Sequence, residues 1–142
     1  MKAGFAERIR AHTGIDDSLI EYCAAAGRRY IYGNGAQAAT CLGFFREMEV
    51  PIDGLLTLPG YEMPELKGYW GRLLRAANTI PVTGLTVEQC ATSSVLIASP
   101  RESYPAARVM LEQMGFQNIY TCAWKRNQCL RDICMAYFEE NY

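Results

Sequence analysis

Apolar positions along this 142-residue chain follow two alternating rhythms. Some stretches repeat near 3.6 residues, as an amphipathic helix does; others are short apolar runs closed by Gly or Pro, as buried strands are. Up to Gly27 the rhythm is helical. Phe5 and Ile9 lie four apart, Asp16 or Asp17 caps a second helix carrying Leu19, Ile20 and Cys23, and Gly27 is its stop. Both helices are expected to pack on the edge of the strand-and-helix region that begins at Arg28. Arg29 to Tyr32 is a β-prone run that breaks at Gly33-Asn34-Gly35. A helical face then opens with Ala38, Cys41, Leu42, Phe45 and Met48, and Pro51 ends it. Ile52 to Leu58 reads as the second strand, closed by Pro59-Gly60.

The segment from Tyr61 to Thr79 is less regular. Leu66 to Ala77 is predicted as a helix with Lys67, Arg72 and Arg75 on a solvated face. Ile80 to Thr83 is a short strand, and Pro81 assigns it to a sheet edge. Thr86 caps a helical turn ending near Ala91. Ser94 to Ala98 is apolar through its centre, as a strand buried on both faces should be. A helix is expected from near Pro105 to Gly115, burying Ala106, Val109, Met110 and Met114. Asn118 to Ala123 is the last strand. A final helix presents Leu130, Ile133, Cys134, Tyr137 and Phe138.

Strand and helix alternate, which predicts an α/β fold with a parallel sheet and right-handed crossovers. About five strands in the order 3-2-1-4-5, with helices on both faces and an N-terminal helical extension, satisfy this pattern. Residues 1–27 are the N-terminal helices, 28–123 the β/α core and 124–142 the C-terminal helix of one domain. Tyr30 to Tyr32 and Val95 to Ala98 are its adjacent central strands.

Composition narrows the function classes. Lys and Arg total 14 against 15 for Asp and Glu, so the basic excess expected of a nucleic-acid binder is absent. The longest apolar runs are strand-sized, and Met1 to Arg10 carries Glu7, Arg8 and Arg10 in place of an apolar signal core. The chain is therefore expected in the cytoplasm, without membrane insertion. The six cysteines, Cys23, Cys41, Cys90, Cys122, Cys129 and Cys134, contain no CxxC pair and are expected as reduced thiols. His12 is the single histidine and lies far from any cysteine pair, so no metal site is read.

The informative motif is Gly33-Asn34-Gly35-Ala36-Gln37-Ala38, a G-x-G-x-x-A turn between a strand and an amphipathic helix. Gly33 permits the tight turn, Gly35 lets a phosphate approach the backbone, and Ala38 lets the helix pack on the strand. The helix start offers N–H donors and partial positive charge to an anion. The alternative is a tight β–α turn with no ligand. Ligands of this fold lie at the carboxyl ends of the strands. That adds Thr57, as a hydroxyl contact, and Ser99, Arg101 and Tyr104 to Gly33, Asn34, Gly35, Ala36 and Gln37. Arg101 is suited to pair with a phosphate and Tyr104 to stack on a base. Dinucleotide sites also need an acid at the end of the second strand. Asp53 sits at that strand's start, which counts against NAD, while a nucleotide, a nucleotide-sugar or NAD(P) stays open as the ligand. Trp70 and Trp124 read as packing residues.

Taken together, Tyr30-Ile31-Tyr32-Gly33-Asn34-Gly35, Ile52-Asp53-Gly54, Ile80-Pro81-Val82 with a short helix, Val95-Leu96-Ile97-Ala98-Ser99 and Leu111-x3-Gly115-Phe116-x2-Ile119 form one arrangement. It resembles the Rossmann-like domain found beside glycosyltransferases, sugar-modifying acyltransferases and FkbM-type methyltransferases of bacterial surface-polysaccharide pathways. The likeness spans most of Arg28 to Ala123. It implies a nucleotide-binding-like turn at Gly33 to Ala38 and a module working with a larger enzyme such as a glycosyltransferase. The chain departs from it in the longer Tyr61 to Thr79 segment. Three readings are open. The first is an accessory domain binding a nucleotide or nucleotide-sugar. The second is a small nucleotide-cofactor enzyme, for which no paired acid and base is placed. The third is a protein-interaction module that has lost its ligand.

Overall fold

Five short runs lie side by side as one parallel sheet in the computed structural model, which describes residues 17–33, 35–60, 65–99, 101–121 and 136–141. The strands are β1 (Arg29–Tyr32), β2 (Gly54–Thr57), β3 (Thr79–Pro81), β4 (Ser94–Ile97) and β5 (Asn118–Thr121). Their order is β3-β2-β1-β4-β5, as the alternation of elements predicts. β1 is central. Ile31 pairs with Leu55 on one side and with Leu96 on the other. The helices are α1 (Asp17–Ala24), α2 (Ala36–Glu47), α3 (Gly68–Ala76), α4 (Val87–Ala91) and α5 (Tyr104–Met114), and residues 136–141 are also helical. Among the described residues no helix is long and apolar enough to cross a membrane.

Side chains of successive strand residues point to opposite faces, so the sheet divides the interior in two. On one face Ile31, Leu55 and Leu96 pack with Ala38, Phe44 and Phe45 of α2, Leu74 of α3 and Phe138. On the other, Tyr30, Leu56, Val95 and Ile97 pack with Val82, Cys90, Ala107, Leu111 and Phe116. All four residues of β4 are buried, as its apolar run requires.

Pro81 lies in β3, the edge strand, where its missing N–H removes no bond to an inner neighbour. β3 is shorter than Ile80 to Thr83. Val82 leaves the ladder in a 3₁₀ turn, Val82–Gly84, and is buried there. Thr86 caps α4 reciprocally: its hydroxyl accepts from the Gln89 N–H at 3.1 Å, and the Gln89 side chain accepts from the Thr86 N–H at 2.8 Å.

α1 packs at the edge strand β5, as expected, and reaches over the sheet face as far as β4, with Tyr22 fully buried against Phe45 and Tyr120 at 5.3 and 5.7 Å between ring centroids. Two expectations are revised. α1 stops at Ala24, before Gly27. The Arg29 guanidinium reaches back and donates to the carbonyls of Tyr22, Cys23 and Ala25 at 3.1, 2.9 and 2.7 Å, satisfying the acceptors of the helix end. In α5, Ala107 and Leu111 are buried, Met110 and Met114 half-buried, Ala106 exposed and Val109 53 % exposed. Two apolar stripes overlap on this helix, and docking of Leu111 against the sheet selects the second. Of the last helix, Tyr137 and Phe138 are buried as expected. Leu130, Ile133 and Cys134 lie outside the described residues.

Arg29 also fastens the amino ends of the strands. Its N–H donates to Asp53 Oδ2 at 2.9 Å, its carbonyl accepts from the Asp53 N–H at 2.8 Å, and the Asp53 carbonyl accepts from Asn78 Nδ2 at 3.1 Å. Replacing Arg29 by Met keeps most of the stem but removes three charge-assisted bonds. It should lower unfolding free energy by about 2–4 kcal/mol, measured by urea denaturation. A loss below about 0.5 kcal/mol would show that water satisfies the end of α1 equally well.

Candidate functional site

At the carboxyl end of β1 the chain must leave the sheet between two neighbours. The Gly33 N–H donates to the Leu56 carbonyl of β2 at 3.2 Å, and the Ala98 N–H beyond β4 donates to the Tyr32 carbonyl at 2.8 Å. Gly33 sits at φ +140°, and a β-carbon there would lie 2.3 Å from the Ala98 carbonyl oxygen. Glycine is therefore demanded by the fold itself.

Gly35 differs. It is the N-cap of α2 at φ −99° and ψ −159°, extended backbone that any residue adopts. A β-carbon on it would meet no atom within 4 Å. Neither conformation nor packing within the described chain explains glycine at this position. Its carbonyl accepts from the Ala39 N–H at 3.1 Å, so α2 is under way at once, and Gly35 brings no side chain to cap its first turn. The first turn also carries no acidic residue. Ala38 is fully buried against the strand, as the motif requires.

Around this turn stand residues from two further strand ends. Thr57 is the last residue of β2, next to the Leu56 that receives the Gly33 N–H, and is half-buried. Ser99 follows Ala98 and is half-buried, its Oγ 3.0 Å from Ser103 Oγ. Gln37 is half-buried on the first turn of α2. Tyr104 begins α5 and packs against the second core cluster. Arg101 opens the 3₁₀ turn Arg101–Ser103. Asn34, and the side chains of Ala36 and Arg101, lie outside the described residues, as do Pro100, Trp124 and His12. The topology thus brings Gly33, Gly35, Thr57 and Ser99 to one end of three adjacent strands. Asp53 lies at the other end, bonded to Arg29 and Asn78. The pairing of Ser99 with Ser103 was not legible in the sequence, because it depends on the 3₁₀ turn between β4 and α5.

Chemically this end of the sheet offers hydroxyls and a helix start, groups that bind and orient an anion. Parallel pairing, strand order and the Gly33 turn define a Rossmann-like α/β protein. Comparison with family models, with curated proteins and with solved structures returns no match.

Of the cysteines, Cys23, Cys41 and Cys90 are free thiols, and Cys122, Cys129 and Cys134 lie outside the described residues. Burial raises the Cys90 thiol above its ordinary value of 9.0. Burial also raises Cys23, with the Arg29 charge opposing the shift. The expected contribution of these thiols to stability is level below pH 9.0, where both states are protonated. It falls as pH rises further, because the unfolded chain ionises first. Urea titrations from pH 8 to 10.5 on wild type and Cys90→Ala should differ in slope above about pH 9. Equal slopes would contradict the shift at Cys90.

The two glycines should respond oppositely to mutation. Gly33→Ala is expected to cost about 3 kcal/mol or more, and Gly35→Ala less than about 1 kcal/mol, by urea denaturation. Equal losses would remove the distinction drawn between them.

Proposed function

We propose that the chain is an accessory binding domain that holds a phosphate-bearing small molecule, a nucleotide or nucleotide-sugar, at the turn between β1 and α2. The observation that carries this reading is the bare approach at Gly35. A ligand accounts for glycine where the fold does not. A phosphate over Gly35 takes its donors from the start of α2, and Thr57 and Ser99 supply hydroxyl contacts on either side. The end of β2 presents Thr57, Leu58 and Pro59 where dinucleotide sites hold a ribose through an acid. This favours ligands not gripped through a ribose diol over NAD. A place beside a sugar-transferring enzyme, such as a glycosyltransferase of surface-polysaccharide synthesis, is part of the same proposal and rests on the resemblance alone.

Gly35→Val is the test, because the position is sterically open and the variant should fold. Nucleotide sugars, ATP, coenzyme A, NAD, NADP and S-adenosylmethionine are screened by thermal shift. A ligand at about 100 times its dissociation constant adds roughly 2.7 kcal/mol, hence several degrees in a domain of this size. At least one is expected to raise the wild-type midpoint and to leave folded Gly35→Val unmoved. Equal shifts in both proteins would place the ligand elsewhere. If no compound shifts the wild type at millimolar concentration, the interaction-module reading replaces this one.

A further inference from the structure

α5 gives only part of its surface to the sheet. Ala107 and Leu111 are buried, while Pro105, Ala106, Arg108, Val109, Glu112 and Gln113 are exposed. At about 3.6 residues per turn these six form one continuous face. Val109 stands near its centre, 53 % exposed. Val87 of α4, 66 % exposed, stands at the carboxyl end of the same helix, because a β-carbon on Gly115 would lie 2.9 Å from its Cγ1. Among the described residues the exposed large apolar side chains are Leu58, Val87 and Val109, so two of the three accompany α5. Single exposed valines are ordinary on a surface, and it is the charges beside them that decide what this face fits.

Arg108 and Glu112 lie one turn apart on one rim of the face. Among the described residues neither side chain is engaged by a partner. Their order is the unfavourable one for a pair within a helix, since the acid follows the base toward the negative end of the macrodipole. The last turn of α5 carries no basic residue and the first turn no acidic one, so nothing on the helix itself offsets Glu112. A second α5 lying antiparallel corrects each mismatch. With a two-fold axis at the level of Met110, Arg108 of each copy faces the partner's Glu112, and Val109 meets the partner's Val109. The charge pair forms twice, because the contact is isologous. The two macrodipoles oppose each other, and short Pro105 and Ala106 let the second helix approach. Parallel helices related by a two-fold would instead set Arg108 against the partner's Arg108.

We propose that this face of α5 is the contact of a symmetric dimer and that its occupant is a second copy of this chain, helix antiparallel to helix. The contact is narrow, so association is of the weak, concentration-dependent kind. It shares no residue with the Gly33–Gly35 turn, so dimer and ligand site stand or fail separately.

Sedimentation equilibrium of the purified chain from about 10 μM to about 1 mM tests it, and the wild type is expected to pass from monomer toward dimer in that range. Arg108→Glu and Glu112→Arg each set like charges across the axis and should each weaken dimerisation at least about tenfold. Val109→Asp should have the same effect, with circular dichroism confirming that each variant is folded. An equimolar mixture of Arg108→Glu and Glu112→Arg restores opposite charges at both pairs, and it is expected to dimerise about as well as the wild type. The double variant Arg108→Glu, Glu112→Arg should do so by itself. A wild type that stays monomeric at about 1 mM would overturn the proposal and leave the face to a different protein. So would a dimer undiminished in folded Arg108→Glu, which would place the contact elsewhere, or a mixture of the two weakened variants that fails to associate.

Discussion

Between Tyr32 and α2 the chain crosses a gap where the Ala98 carbonyl leaves no room for a β-carbon. β1 is the central strand, and β2 and β4 close on it from both sides. Its exit is therefore a tight passage, 2.3 Å from a would-be Gly33 β-carbon to the Ala98 oxygen. The position of α2 depends on this passage, because the helix begins within three residues of it. So does the packing of Ala38, and with it the approach of Phe44 and Phe45 to the sheet. A bulkier residue at Gly33 would push β1 from β4 or α2 from the strand, and either movement opens a core packed to near-crystalline density.

The two ends of the sheet have divided their tasks. At the amino end, Arg29, Asp53 and Asn78 tie β1, β2 and β3 together, and the same arginine closes α1. Charged and amide groups there are consumed by backbone partners. At the carboxyl end the chain places small and hydroxyl-bearing residues, Gly33, Gly35, Thr57 and Ser99. The division explains why Asp53, though near the right sequence distance for a ribose acid, is not in a position to be one. A strand rises about 3.3 Å per residue, so the length of β2 carries Asp53 to the far end of the sheet.

The two helical layers are not equivalent. One face is covered by α1, α2, α3 and residues 136–141, with a run of aromatic contacts from Tyr22 through Phe45 and from Tyr69 and Trp70 to Phe138. Gly43 belongs to this layer. A β-carbon there would lie 2.7 Å from the Phe138 ring, so the glycine lets the last helix seat against α2. The other face is thinner, built by the Val82 turn, α4 and α5.

The class of fold was legible from local order alone. Apolar runs at Tyr30 to Tyr32 and Val95 to Ala98, glycine or proline at their ends and 3.6-period stretches between them leave few topologies, and the handedness of crossovers removes most of the rest. Pro81 marked an edge and Thr86 a cap, because each carries its constraint in its own covalent structure. The motif at Gly33 to Ala38 was equally local. Other features needed the tertiary structure. Which of two overlapping stripes α5 buries, where α1 stops and which face it covers depend on contacts with β4, β5 and Arg29, all distant in sequence or outside any period. The unequal meaning of Gly33 and Gly35 was hidden for the same reason. Both are the same letter, and only the Ala98 carbonyl, brought alongside by strand pairing, separates a glycine that the fold requires from one that it leaves open.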